Sequence, residues 1–225
     1  MTQPFKVLII DDHPMIIESY ERILGSISST YSHYTFNIHT ACCCDSANKI
    51  IDELIDQSII DLVFLDISLP PSKKGIMTSG EDIGVKLRGI YPNVKIIVAT
   101  MYNNNYRLIN ILKSFNPEGL LVKTELGSQD IREAILSILS DTPYYSKSVL
   151  KLIRQHVSND INLDSIDRYL LYQISIGTKT KNLPDYIPLS LSAIEQRKRK
   201  LNTAFNTEEN SDKTLLKHAK ENGFL

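Results

Sequence analysis

The chain lacks any apolar run near the roughly 18 residues that a membrane-crossing helix needs. Nothing at its start has the make-up of a signal peptide. The apolar stretch Phe5–Ile10 meets two acids at once, which no cleavage site would do. Export and membrane roles are therefore not expected. Cysteine is scarce and confined to one place, the consecutive Cys42, Cys43 and Cys44. Neighbours on the chain cannot build a disulfide framework, and no second cluster completes a zinc site. These three read as reduced, partly buried thiols, which places the protein in the cytoplasm. Charge of one sign is also missing, with 25 basic against 26 acidic residues. That balance hides an asymmetry. Residues 1–140 carry 12 Lys/Arg and 16 Asp/Glu, whereas residues 141–225 carry 13 and 10. An acidic front and a basic back predict two domains with different partners.

What is present suits a folded chain, with 42% hydrophobic and 23% charged residues. The front half alternates two kinds of segment. Val7–Ile10, Leu62–Leu65, Ile96–Val98 and Leu120–Val122 are short, apolar and rich in β-branched residues. They read as strands buried on both faces. Phe36-Asn37-Ile38-His39 alternates instead, as a half-exposed edge strand would. Between these runs lie helical stripes: Ile16/Ile17/Tyr20/Ile23/Leu24, Ala47/Ile50/Ile51/Leu54/Ile55, Ile83/Leu87/Ile90, Leu108/Ile111/Leu112/Phe115 and Ile131/Ala134/Ile135/Ile138/Leu139. Five strands alternating with five helices predict an α/β fold, a five-stranded parallel, doubly wound (flavodoxin-like) sheet. Asp141-Thr142-Pro143 breaks the fifth helix, and residues 141–160 read as a linker with a short amphipathic helix on Val149, Leu152, Ile153 and Val157, ended by Ser158-Asn159-Asp160. The remainder, 161–225, has no strand-like run and reads all-α, with Asp164 as an N-cap and Asp167 three residues on.

The polar residues at the strand ends carry the chemistry. Asp11 and Asp12 follow the first strand, Asp66 ends the third, Thr100 ends the fourth and Lys123 ends the fifth. A parallel sheet brings all strand C-termini to one edge, where ligand sites form. Three crowded carboxylates repel unless a cation lies among them, and hard oxygen ligands favour Mg2+. One carboxylate can then attack phosphorus and become an aspartyl phosphate. The ion and a lysine neutralise charge on the phosphoryl oxygens, and Thr100 can donate to one of them.

On Asp11-Asp12-His13-Pro14, Asp66 with Pro70, Ala99-Thr100-Met101-Tyr102 and Gly119-Leu120-Leu121-Val122-Lys123, residues 5–140 resemble the CheY-like receiver domain of two-component response regulators. The resemblance implies that Asp66 is the phosphoacceptor and that Asp12 binds Mg2+ directly, with Asp11 acting partly through water. It implies that the backbone carbonyl of Ser68 completes the ligands and that Thr100 and Lys123 read the phosphoryl group. Three features depart from the family. Gly80 stands 14 residues after Asp66 rather than about eight, so Pro71–Ser79 holds an insertion with Lys73 and Lys74 on it. Leu120 replaces the usual switch aromatic, and Thr124 replaces the frequent proline after Lys123. Ser68 and Tyr102 occupy the positions that tune attack by water in the family, and without an acid or amide there slow autodephosphorylation is expected.

In the back half, residues 177–205 hold six cations against two acids. A helix from Ser190 would bury Leu191, Ile194, Leu201 and Phe205 and expose the run Arg197–Lys200, the electrostatic footprint of a DNA-binding face. Leu163-Asp164, Asp167, Gly177, Leu189-Ser190 and Ala193-Ile194 make 163–225 similar to the LuxR-type helix-turn-helix of NarL/FixJ regulators. That likeness implies base contacts from Glu195, Gln196 and Arg199 and phosphate contacts from Ser192, Arg197, Lys198 and Lys200. Pro184 and Pro188 interrupt the scaffold helix of the family, so a short helical turn starting near Leu183 is expected instead.

The reading is a response regulator, not an enzyme. A histidine kinase phosphorylates Asp66, the protein pairs as a homodimer, and the back domain binds double-stranded DNA to regulate transcription. The alternative is a phosphorylation-dependent protein-binding regulator whose helix-turn-helix does not bind DNA. An aspartyl-phosphate phosphohydrolase would want a second acid two residues after Asp66, where Ser68 stands.

Overall fold

The computed structural model describes residues 3–55, 60–72, 77, 79–101, 105–157, 163–207 and 211–225. Lys73, Lys74, Tyr102 and Ser158-Asn159-Asp160 lie outside the described residues. The chain divides into two compact units, one built on residues 1–103 and 110–149, the other on 104–109 and 150–225.

The first unit is a parallel sheet with the strand order β2-β1-β3-β4-β5-β6. Its strands are β1 (Phe5–Ile10), β2 (Phe36–Ala41), β3 (Leu62–Asp66), β4 (Lys95–Thr100), β5 (Gly119–Val122) and β6 (Tyr144–Tyr145). The five strands expected from the four apolar runs and the alternating stretch Phe36–His39 are all present. All five residues of β3 are buried, as the apolar run Leu62–Leu65 requires when helices cover both faces. Strand β2 lies at the edge, with Phe36 and Ile38 half-buried and Asn37 exposed, although His39 is half-buried too. The sixth strand is a finding of the structure. Tyr144 N donates to Glu118 O at 3.0 Å and Ser146 N to Leu120 O at 3.1 Å, which adds two residues beside β5. No periodicity can announce a strand of two residues.

Helices α1 (Pro14–Thr30), α2 (Cys44–Ile55), α3 (Gly80–Ile90), α4 (Asn105–Phe115) and α5 (Ser128–Leu139) connect the strands. The buried stripe of α1, Tyr20, Ile23, Leu24 and Ile27, packs in one cluster with Val7, Ile9 and Phe64 of the sheet and with Ala134, Ile135 and Ile138 of α5. The inserted segment leads into α3 through Ser79, whose side chain accepts from Glu81 N while Asp82 accepts from Ser79 N, a full capping box. Gly80 then passes so close to β3 that a Cβ there would lie 2.0 Å from the backbone oxygen of Asp66. Cys44 is buried and Cys42 exposed, all three cysteines being free thiols. Among the described residues no helix is long and apolar enough to cross a membrane.

Helix α6 (Lys147–Val157) follows β6. The second unit is helical, with α7 (Ser165–Ser175), a 3-10 turn (Thr180–Asp185), α8 (Leu191–Ala204) and α9 (Asp212–Glu221). Its core gathers Leu170, Leu171, Leu183, Ile187, Ile194, Leu201 and Leu215. Asp164 caps α7 with Asp167 as its reciprocal partner, and Gly177 at φ +89° follows the end of α7 in a conformation that L side chains rarely adopt. The turn before α8 starts at Thr180, three residues ahead of the expected Leu183. Pro184 lacks the N–H that a longer α-helix would use, whereas one tight turn closed by Asn182 N to Lys179 O at 2.8 Å and Tyr186 N to Leu183 O at 3.0 Å accommodates it.

The close passage of Gly80 yields a prediction. Gly80→Ala is expected to lower stability in urea unfolding by about 2 kcal/mol, because neither backbone can yield without moving β3. Gly89→Ala, on the same helix and with nothing within 4 Å of the added carbon, is expected to be neutral or stabilising. Equal losses at the two positions would show that the Gly80 approach is not a constraint.

Candidate functional site

The strand order sets the site. Strands β2 and β3 flank β1, so the chain reverses its direction of winding between β1 and β3, and a crevice opens at their C-terminal ends. Asp11 follows β1 and Asp66 ends β3, and both are almost fully buried at 1% and 3% exposure. The N–H of Asp11 donates to Ala41 O at 3.1 Å, which fixes the loop after β1 against β2. Thr100, also buried, stands one residue beyond Ala99, the register partner of Asp66 on β4. Lys123 opens a short 3-10 turn directly after β5.

These residues converge on Lys123. Its Nζ donates to Asp11 Oδ2 at 2.7 Å and to Asp66 Oδ2 at 2.8 Å. Burial works against the ammonium charge, but the two carboxylate hydrogen bonds more than offset it, and the Lys123 pKa moves upward. Ser68 N donates to the other oxygen of Asp66, Oδ1, at 3.1 Å. Asp12 is less enclosed, yet its Oδ1 is buried and accepts no hydrogen bond. Ligand atoms of Asp11, Asp12, His13 and Asp66 lie within 4.8 Å of one another, an acidic cluster able to hold a metal ion. Three carboxylates facing one ammonium leave the group net negative, which is the donor chemistry a divalent cation wants. Thr100, Lys123 and the four acidic-pocket positions read from the sequence thus all lie at the same sheet edge. Leu120 is fully buried in β5, beside Val98, and presents no aromatic ring.

Sequence reasoning placed Tyr20 only in the core stripe of α1. Its ring stacks on Phe64 at 4.6 Å, and its phenol pKa is pushed upward first by burial and then by the charges of Asp11 and Asp66. Tyr20 is therefore a neutral floor beneath the carboxylates. The one signal for it was a tyrosine among aliphatic stripe residues.

In the second unit, α8 starts after Ser190, whose hydroxyl accepts from Ala193 N at 3.3 Å. Ser192, Glu195, Gln196, Arg199 and Lys200 are exposed, while Arg197 and Lys198 are partly buried. Ser192, Glu195, Gln196 and Arg199 follow i, i+3, i+4 and i+7 and share one face. Arg197 and Lys198 turn away from it. Arg197 Nη1 reaches Asp164 Oδ2 at 2.7 Å and Asp167 Oδ1 at 2.6 Å, joining α8 to the cap of α7. Lys198 Nζ donates to Thr180 Oγ1 at 3.0 Å and pairs with Asp212 Oδ1 at 2.5 Å, tying the 3-10 turn and α9 to the same helix.

The response regulator receiver domain family matches residues 7–136. The chain belongs to this family. It is 21% identical over 213 residues to the oxygen regulatory protein NreC of Staphylococcus epidermidis, an alignment covering 89% of this chain and 91% of that protein. Among solved structures, RcsB from Salmonella enterica serovar Typhimurium, bound to promoter P1flhDC in the presence of the phosphomimetic BeF3-, superposes with a TM-score of 0.65 at 20% identity, covering 96% of this chain and 98% of that one. A LuxR-family response regulator from Aurantimonas is similar at 18% identity and a TM-score of 0.54, over 70% of this chain and all of that one. The likeness in fold therefore spans the receiver and the helical unit behind it.

Arg197 gives a prediction with a pH sign. Slight burial alone would raise the Asp164 pKa, but the Asp167 N–H and the Arg197 guanidinium hold it below its ordinary value. A depressed carboxylate stabilises the fold above its unfolded pKa and loses that contribution as pH falls through the folded one. Arg197→Ala is expected to lower stability by about 1 kcal/mol near neutrality, the scale of an ion pair still partly open to solvent. The gap from the parent protein is expected to close as pH falls below the usual carboxylate range. Chemical denaturation at pH 7 and at pH 3 checks this, and a gap that persists in acid would contradict it.

Proposed function

We propose that the protein is a response regulator in which a histidine kinase phosphorylates Asp66, and that the phosphorylated form binds double-stranded DNA through α8 to regulate transcription. The observation that carries this reading is the Lys123 ammonium held between Asp11 and Asp66 at the winding reversal of the sheet. The family membership and the DNA-bound relative of the same two-part fold support it.

The chemistry follows from the side chains. An oxygen of the Asp66 carboxylate attacks phosphorus, the O–P bond forms, and the P–N bond to the kinase imidazole breaks, leaving the proton with the imidazole. Asp12, Asp66 and the backbone carbonyl of Ser68 would hold Mg2+, with Asp11 acting partly through water. When bound, the ion neutralises charge on the phosphoryl oxygens. Lys123 is already ordered to move from carboxylate to phosphoryl oxygen without a change of place. Thr100 supplies a hydroxyl donor from the end of β4. Their shift toward the new dianion biases the surface built from α4, β5 and α5, which pairs two phosphorylated chains or releases the helical unit.

On α8, Glu195, Gln196 and Arg199 face base edges, and Ser192 and Lys200 face phosphates. Arg197 and Lys198 act at DNA only by leaving their internal ion pairs, so this reading assigns them first to holding α8 in place. The two occupied cations leave a smaller positive face than the charge run suggested. That favours keeping the second reading, a regulator that binds protein rather than DNA, as the rival outcome of the test.

Random genomic duplexes are to be selected with the protein, with and without beryllofluoride and Mg2+, across a salt series. A defined site, enriched by the mimic and lost in Asp66→Ala, is the expected result. Lys200→Ala is then expected to reduce the salt slope by about 1, and Arg199→Ala to relax preference at one base position. Binding that stays sequence-blind and indifferent to the mimic would overturn the DNA reading in favour of a protein partner.

A further inference from the structure

Leu191 stands apart from the stripe that the sequence assigns it to. Ile194, Leu201 and Phe205 are buried in the core of the helical unit, but Leu191 is 41% exposed. It belongs neither to the buried cluster of that unit nor to the half-buried residues packed against it. Helix geometry corrects the expectation that α8 buries all four. At about 100° per residue, Leu191 lies about 60° around the axis from Ile194 and only about 40° from Glu195. Glu195 is exposed, so Leu191 falls at the edge of the open face that holds Ser192, Glu195, Gln196 and Arg199. The helix does not need a leucine there. Ser190 already caps it by accepting from Ala193 N at 3.3 Å, and an acidic side chain would suit the first turn better.

A single exposed leucine is ordinary on a protein surface. Position gives this one its meaning. It is the first residue of α8, and the N-terminal residues of a recognition helix are those that approach base edges in the major groove. Its neighbours on the face suit three of the four bases by hydrogen bonding. A glutamate accepts from the cytosine amine, a glutamine pairs with adenine and an arginine with guanine. Thymine is set apart in that groove by its 5-methyl group, which is read by apolar contact. Of Leu191, Ser192, Glu195, Gln196 and Arg199, only Leu191 ends in hydrocarbon. A thymine methyl would also cover part of the isobutyl group that the core leaves in water.

We propose that Leu191 is a specificity-determining residue, its side chain packing on the 5-methyl group of a thymine beside the base that Glu195 reads. The inference rests on the reading above that α8 binds DNA. It adds to that reading a residue and a required base.

The test uses the full chain with beryllofluoride and Mg2+, on the duplex that the selection above enriches. Each thymine of the site is replaced in turn by deoxyuridine, which removes the methyl group and keeps the base pairing. At one thymine position the parent protein is expected to lose about fourfold in affinity, the scale of one buried methyl group. In Leu191→Ala the same replacement is expected to leave affinity unchanged. Leu191→Gln, similar to leucine in helix preference, is expected to behave the same way, and circular dichroism checks that both variants fold. A deoxyuridine effect of equal size in the parent and both variants would overturn the role of Leu191 and leave the DNA reading standing. So would a specifically bound site in which no thymine responds. Sequence-blind binding by the parent chain would overturn the DNA reading, and this inference with it.

Discussion

The first unit depends on one ammonium group between two carboxylates. Lys123 follows β5, Asp11 follows β1 and Asp66 ends β3, so three strands far apart in sequence meet through the contacts at 2.7 and 2.8 Å. Buried carboxylates so close together are tolerable only while positive charge is shared between them. Asp11 N also donates to Ala41 O, so the ion-pair cluster reaches β2 as well. The parallel sheet supplies the placement and the charges supply the reason for it. On the function proposed above, a phosphoryl group added to Asp66 would change the charge that Lys123 must balance, and the same contact would then serve as both a structural tie and a sensor.

The second unit spends its cations differently. Four successive basic residues on α8 divide into two roles by direction. Arg197 and Lys198 point toward acids on α7 and α9 and fasten the helix, while Arg199 and Lys200 remain exposed. Asp164 serves twice, as the cap of α7 and as a partner of Arg197. The short 3-10 turn that replaces a longer scaffold helix is held from the other side by Lys198 on Thr180. The presentation of α8 therefore relies on ion pairs where a proline-free sequence would rely on a further helix.

Much of this was legible in the residues. Runs such as Leu62–Leu65 read as buried strands because β-branched and aliphatic residues crowd them, and polar residues at their C-terminal ends read as a site because a parallel sheet aligns those ends. The Asp164/Asp167 capping box was readable because it is local. What was not readable is tertiary in origin. Two tyrosines at 144 and 145 carry no period, and they become a strand only because β5 offers an open edge. The run Arg197–Lys200 fixes its charge but not its directions, since the partner of Arg197 stands 33 residues away. Tyr20 looked like any core residue, and its place beneath the acids follows from its contact with Phe64 across the α1–β3 layer.

The central claim is that the pocket around Lys123 makes Asp66 a phosphoryl acceptor. Incubation with acetyl phosphate and a divalent cation, followed by borohydride reduction and peptide mass mapping, tests it directly. The account predicts a single acyl-phosphate, trapped as homoserine at position 66, absent without the divalent ion and strongly diminished in Lys123→Ala. Modification at Asp11 or Asp12 with Asp66 untouched, or no acyl phosphate at any aspartate while the fold is intact, would contradict it.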